Sequence, residues 1–136
     1  MSGLAGLLAG RHEPGVYLWP AAFDVADVRH TVGLAEWHFA YLDGAGVASK
    51  DDLWTALAAA LGFPDYFGRN LDALWDCLGD LDEPQLLLWD AWGPLAWTDP
   101  DTFAGITAVL SERTEMGGFT VLLRGDGPDT GLPTLA

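Results

Sequence analysis

The run Gln85 to Trp89, QLLLW, is apolar almost without a break. A strand with one face in water alternates polar and apolar residues. A uniform run of this length suits a strand covered on both faces, as in a parallel sheet with helices above and below.

The rest of the chain supplies the pieces of such a sheet. Gly15 to Trp19 reads as a short strand stopped by Pro20. Asp24 is a candidate cap for a helix over Val25 to Val32, with Gly33 as its stop. Trp37 to Leu42 alternates, is rich in aromatics and closes on Asp43-Gly44, so it reads as a second strand. Ser49 opens a helix whose first turn holds Asp51 and Asp52 and whose apolar face is Leu53, Trp54, Leu57, Ala60 and Leu61. Gly62 ends it, and Phe63-Pro64 forces an extended turn. Residues 90–99 read as a loop. Asp99-Pro100-Asp101 opens a helix with Phe103, Ile106, Val109 and Leu110 on its buried side. Phe119 to Leu123 is the last strand. The order strand, helix, strand, helix, helix, strand, helix, strand predicts an α/β fold: a small, mostly parallel sheet of three to four strands packed with helices. One domain is expected over 15–125, with 15–36 as a strand–helix extension. Residues 1–14 read as a flexible tail, and the Gly/Pro-rich residues 126–136 as a disordered one.

Between the second helix and QLLLW lies the stretch Phe63 to Glu83, FPDYFGRNLDALWDCLGDLDE. Asn70 is a helix-start residue. Leu71, Ala73, Leu74, Cys77 and Leu78 make an apolar stripe over Leu71 to Leu78. Asp72, Asp76 and Asp80 fall at i, i+4 and i+8 on another face, with Trp75 beside them. Such a row opposes helix formation by about 0.2–0.5 kcal/mol per pair. Read blandly, it is a solvated helix face. Tyr66, Phe67 and Trp75 among the acids suggest instead an exposed surface for a cationic partner.

The run PDYFGRNLDALWDCL resembles the signature of the barstar family, small intracellular inhibitors of guanyl-specific secreted ribonucleases, and the similarity extends from about Phe39 to Arg124. The resemblance implies a three-stranded parallel sheet packed with helices, to which the N-terminal strand adds a fourth at an edge. It also implies a site. The principal phosphate-mimicking aspartate falls on Asp76, the earlier helix aspartate on Asp72, and the tryptophan between them on Trp75. The loop tyrosine and glycine fall on Tyr66 and Gly68, the helix-start asparagine on Asn70, and a glutamate of the following helix on Glu112. Phe67 stands where a second tyrosine is common. Arg69 sets a positive charge beside the acids, where it either repels a basic enzyme or pairs with Asp65. Asp80 and Leu81 replace a glycine–tryptophan pair.

Composition agrees with a protein partner. The net charge of −14 disfavours nucleic acid and anionic membrane by long-range repulsion and favours a basic protein. The lone Cys77 permits no intramolecular disulfide, which suits a reducing cytoplasm, and its place on the apolar stripe suggests an inert thiol. Nucleophilic catalysis needs a Ser or Cys near a base such as His, but His12, His30 and His38 all lie in the N-terminal third, His12 in the tail and His38 inside a strand, and no GxSxG, P-loop or GxGxxG motif is present. Asp72 and Asp76 on an open helix do not make a glycosidase cleft, and a straight helix cannot wrap Asp72, Asp76 and Asp80 around a Mg²⁺ or Ca²⁺ ion. The expectation is a cytoplasmic, non-enzymatic inhibitor without metal or cofactor, monomeric when free, whose carboxylates occupy the active site of a basic secreted ribonuclease. The alternative is an immunity module for a different basic toxin or protein.

Overall fold

The computed structural model describes residues 2–136. Its strands are β1 Val16–Leu18, β2 His38–Asp43, β3 Gln85–Asp90 and β4 Phe119–Arg124. They form one sheet in the order β1-β4-β3-β2, every neighbouring pair parallel. The helices are α1 Ser2–Leu8, α2 Val25–Leu34, α3 Lys50–Leu61, α4 Leu71–Gly79, α5 Gly93–Thr98 and α6 Pro100–Thr114. The fold is α/β, and the added strand β1 lies at an edge.

Both faces of β3 are covered. Leu87 and Trp89 join Val121 and Leu123 in a core roofed by α3, α4, α5 and α6. Leu86 and Leu88 join Leu122 in a second core under α1 and α2. Full burial of such side chains contributes about 1.5–3 kcal/mol each. The direction of the connections explains the division. From β2 through β3 to β4 the chain steps one way across the sheet. From β1 to β2 it returns the other way, and right-handed crossovers then put α2 on the opposite face.

Helix ends follow local chemistry. The Ser49 hydroxyl accepts from the Asp52 amide at 3.1 Å, and Gly62 closes α3 in the left-handed region. Asp99 caps α6 by accepting from Thr102 N at 3.2 Å. Asp24 precedes α2 without a side-chain cap bond, and α2 runs through Gly33 to Leu34.

Three expectations are corrected. Residues 1–14 are not a loose tail throughout: Ser2–Leu8 is helical, with Leu4 and Leu7 buried in the second core. Residues 126–136 are likewise tied down. Leu18 N donates to Pro133 O and Leu135 N to Leu18 O, both at 2.8 Å, and Leu135 is buried beside Leu4 and Leu7. The physical reason is that the sheet's second face needs these leucines as cover, which glycine and proline content does not reveal. Residues 93–98 form α5 rather than loop: Pro94 suits the first turn, and the Thr98 hydroxyl donates back to Pro94 O at 2.7 Å. No described helix is long and apolar enough to cross a membrane.

Candidate functional site

The α4 helix is set into the molecule by Leu74 and Leu78, both fully buried. Asn70 fixes its start. Its Oδ1 accepts from Ala73 N at 2.8 Å and its Nδ2 donates to Gly68 O at 3.1 Å, so one side chain caps the helix and holds the preceding loop. Gly68 matters for space rather than for backbone freedom: a Cβ there would lie 3.1 Å from the Ala73 Cβ. The left-handed residue of the loop is its neighbour Arg69, at φ 55°.

Within this frame, two adjacent aromatics part. Tyr66 stands 87% exposed. Phe67 turns inward, 8% exposed, with ring centroids 5.7 Å from Trp54 and 5.0 Å from Phe63. Phe67 therefore offers no side chain to a partner and acts as the anchor under the loop, which corrects its inclusion in the exposed patch. An aromatic lacking a hydroxyl is suited to that buried place.

Asp72, Asp76 and Asp80 all point to solvent, and Trp75 is 39% exposed on the flank beside them. Among the described residues no ion pair or side-chain hydrogen bond engages any of the three carboxylates. Arg69, the nearest cation in sequence, turns to α3. Its Nη2 donates to Asp51 Oδ1 at 2.6 Å, to Asp51 O at 2.8 Å and to the Thr55 hydroxyl at 3.2 Å. It pairs with Asp51, not with Asp65.

A second cation supports α4 from behind. Arg113 of α6 is 5% exposed; its Nε donates to Leu78 O at 2.8 Å, its Nη1 to Gly117 O at 2.8 Å and its Nη2 to Leu81 O at 3.4 Å. A positive charge on the carbonyls of the last turn offsets the helix dipole that makes Asp80 unfavourable there. Burial holds the Arg113 pKa below its usual value. Cys77 is half-buried, and its thiol pKa is raised by burial first and then by Asp80 and Asp76. A raised pKa keeps it a protonated, unreactive thiol.

The α6 helix runs parallel to α4, since Gly105 faces Leu71 at one end and Arg113 reaches Leu78 at the other. Glu112 is exposed, two helical turns beyond Gly105 on the α4-ward flank. Tyr66, Asp72, Trp75, Asp76, Asp80 and Glu112 are all exposed, the acids and Trp75 on α4, Tyr66 in the loop before it and Glu112 on the neighbouring α6, with Gly68 and Asn70 shaping the loop and Phe67 buried in it. Sequence reasoning missed Arg113. An arginine in the last turn before Gly117-Gly118 signals local capping, but not its reach to α4.

Over 48 residues the chain is 50% identical to a protein of Bacillus subtilis (strain 168) named "Putative ribonuclease inhibitor YrdF", covering 35% of this chain and 53% of that one. The chain thus spans about half the length of that curated relative. The family model described as "Barstar (barnase inhibitor)" matches residues 37–124, from the residue before β2 to the end of β4 with the Tyr66 loop and α4 inside it, and the chain belongs to the barstar family.

Proposed function

We propose that this chain is an inhibitor that closes the active site of a secreted, basic, guanyl-specific ribonuclease, acting in the cytoplasm of the cell that makes the enzyme. The observation that carries the reading is a row of exposed carboxylates without internal partners on α4, with exposed Trp75 on the same helix and exposed Tyr66 in the loop before it. An enzyme that cleaves RNA must hold a phosphodiester and lines its site with cations. Carboxylates on a rigid helix satisfy the same donors, and Arg–carboxylate contacts are strong and geometrically selective. Asp76 is the central phosphate mimic and Asp72 the second; Tyr66 and Trp75 contribute rigid apolar area beside them. Asp80 and Glu112 extend the negative field at the rim, and the overall charge of −14 speeds encounter with a basic partner.

The test is inhibition of RNA cleavage by barnase. The intact protein slows the enzyme, and Asp76→Ala loses most of that inhibition without loss of fold. Barnase–barstar is itself the reference case for charge pairing of this kind, so the direction, not the size, is the prediction. Unchanged inhibition by Asp76→Ala removes α4 from the mechanism.

One observation favours a second reading, a module for a different basic toxin. At the far end of α4 the surface holds Asp80 and a half-buried Leu81, with no exposed aromatic. Binding to a panel of secreted ribonucleases and other basic toxins over a salt series separates the two. Binding only to a non-ribonuclease toxin selects the second.

A further inference from the structure

We propose that a recess between the N-terminal ends of α3, α4 and α6 receives one uncharged, apolar side chain of the protein that docks on α4, and that this insertion sets which partner is accepted. The inference rests on the reading of α4 given above and adds a specificity element to it.

The recess holds about 180 Å³ and is lined by Lys50, Trp54, Leu71, Asp101, Gly105 and Ile106 among others. Small-molecule sites run to roughly 300–1,000 Å³, so this space fits one large side chain rather than a free ligand. Its inner walls are the buried Trp54 and Ile106, and its lip is Leu71, 40% exposed. Gly105 keeps it open. A Cβ at that position would lie 3.4 Å from Leu71 Cδ1, and any longer side chain would occupy the space.

Charge separates the recess from the acidic row. Lys50 and Asp101, both exposed, face it with opposite signs, and no ion pair joins them among the described residues. The row Asp72, Asp76 and Asp80 selects a cation, whereas a recess of carbon walls with balanced charge at its mouth selects an apolar group. The two surfaces are continuous. Leu71 precedes Asp72 and lies one turn before Trp75 on the same flank, and both Leu71 and Trp75 are exposed. A partner seated over Trp75 and Asp72 covers the mouth, and an anchor buried in a pocket beside charged contacts is a common form of interface hot spot.

The experiment uses the full chain with barnase as the probe enzyme and compares Gly105→Ala, Gly105→Leu and Asp76→Ala at low and high salt. Gly105→Leu fills the recess and is expected to weaken inhibition by at least about tenfold, with a smaller loss for Gly105→Ala. That loss is the same at both salt concentrations, whereas the loss from Asp76→Ala shrinks as salt rises. Both Gly105 variants replace a helix glycine by a better helix former, so the melting temperature is expected not to fall. Inhibition by Gly105→Leu within about twofold of the unmodified protein, while Asp76→Ala is impaired, overturns the recess and leaves the α4 reading intact. A Gly105→Leu loss that disappears at high salt also overturns it. A neutral Asp76→Ala, or an unmodified protein that does not slow barnase, overturns the α4 reading and the recess with it.

Discussion

The guanidinium of Arg113 donates to the carbonyl oxygen of Leu78 at 2.8 Å, so a buried cation from α6 rests on the last turn of the helix that presents the acidic row. The acids in front and the cation behind belong to one electrostatic arrangement. Replacing Arg113 by Met removes the side-chain donor from Leu81 O and Gly117 O and leaves Leu78 O with only the Leu81 amide at 3.2 Å. The expected cost is about 2–3 kcal/mol, read as a shift of the urea midpoint at constant m-value.

The acidic row carries a cost in stability. Asp76 has a like charge one turn to each side, at Asp72 and Asp80. Asp76→Asn is expected to raise stability by about 0.4–1 kcal/mol, two pairs at the usual i, i+4 penalty, while weakening inhibition. Parallel thermal melts and inhibition assays check both signs; a destabilised variant would mean that Asp76 makes a favourable contact within the fold.

How much of this was legible in the residues depends on where the information lies. QLLLW announced two-sided burial because that property is local to one strand. Asn70 announced the start of α4 because a cap acts within three residues. The opposite fates of Tyr66 and Phe67 were not legible, since a loop has no period to tell inside from outside. The helix at Ser2–Leu8 was hidden for another reason: its leucines are buried by Leu135 and by strand residues far along the chain. Arg113 was hidden likewise, because two of its acceptors, Leu81 O and Leu78 O, lie 32 and 35 residues away.

The second core has a separable role. Leu4 is fully buried on the sheet face opposite α4. Leu4→Ala is expected to cost about 2–4 kcal/mol of folding free energy, as cavity-forming changes do. Inhibition by the folded fraction is expected to stay unchanged. A loss of inhibition at full folding would place the N-terminal extension in the binding surface.

Backbone strain gives a stabilising variant. Glu36 sits at φ 63° after α2, exposed, and its carboxylate makes no hydrogen bond or ion pair among the described residues. Glu36→Gly is expected to stabilise by about 0.5–1 kcal/mol, because glycine adopts that conformation without a Cβ penalty. Chemical denaturation measures it.

Alkaline stability reports on the carboxyl ends of β2 and β3. The Tyr41 phenol donates to Asp90 Oδ2 at 2.9 Å, and burial first, then Asp90, push its pKa from 10.0 up to about 12. The folded protein therefore holds this proton more tightly than the unfolded chain. The resulting stabilisation is full below pH 10.0 and is lost as pH rises toward about 12. Tyr41→Phe is expected to lessen that fall, seen by comparing the pH dependence of the two urea midpoints.

The sheet works as a bulkhead. Leu86, Leu88 and Leu122 belong to the compartment behind it, and Leu87, Trp89, Val121 and Leu123 to the one in front. A side chain exchanged in the rear compartment meets the sheet before it can reach the mounting of α4, so the two layers are packed as separate rooms that share one wall.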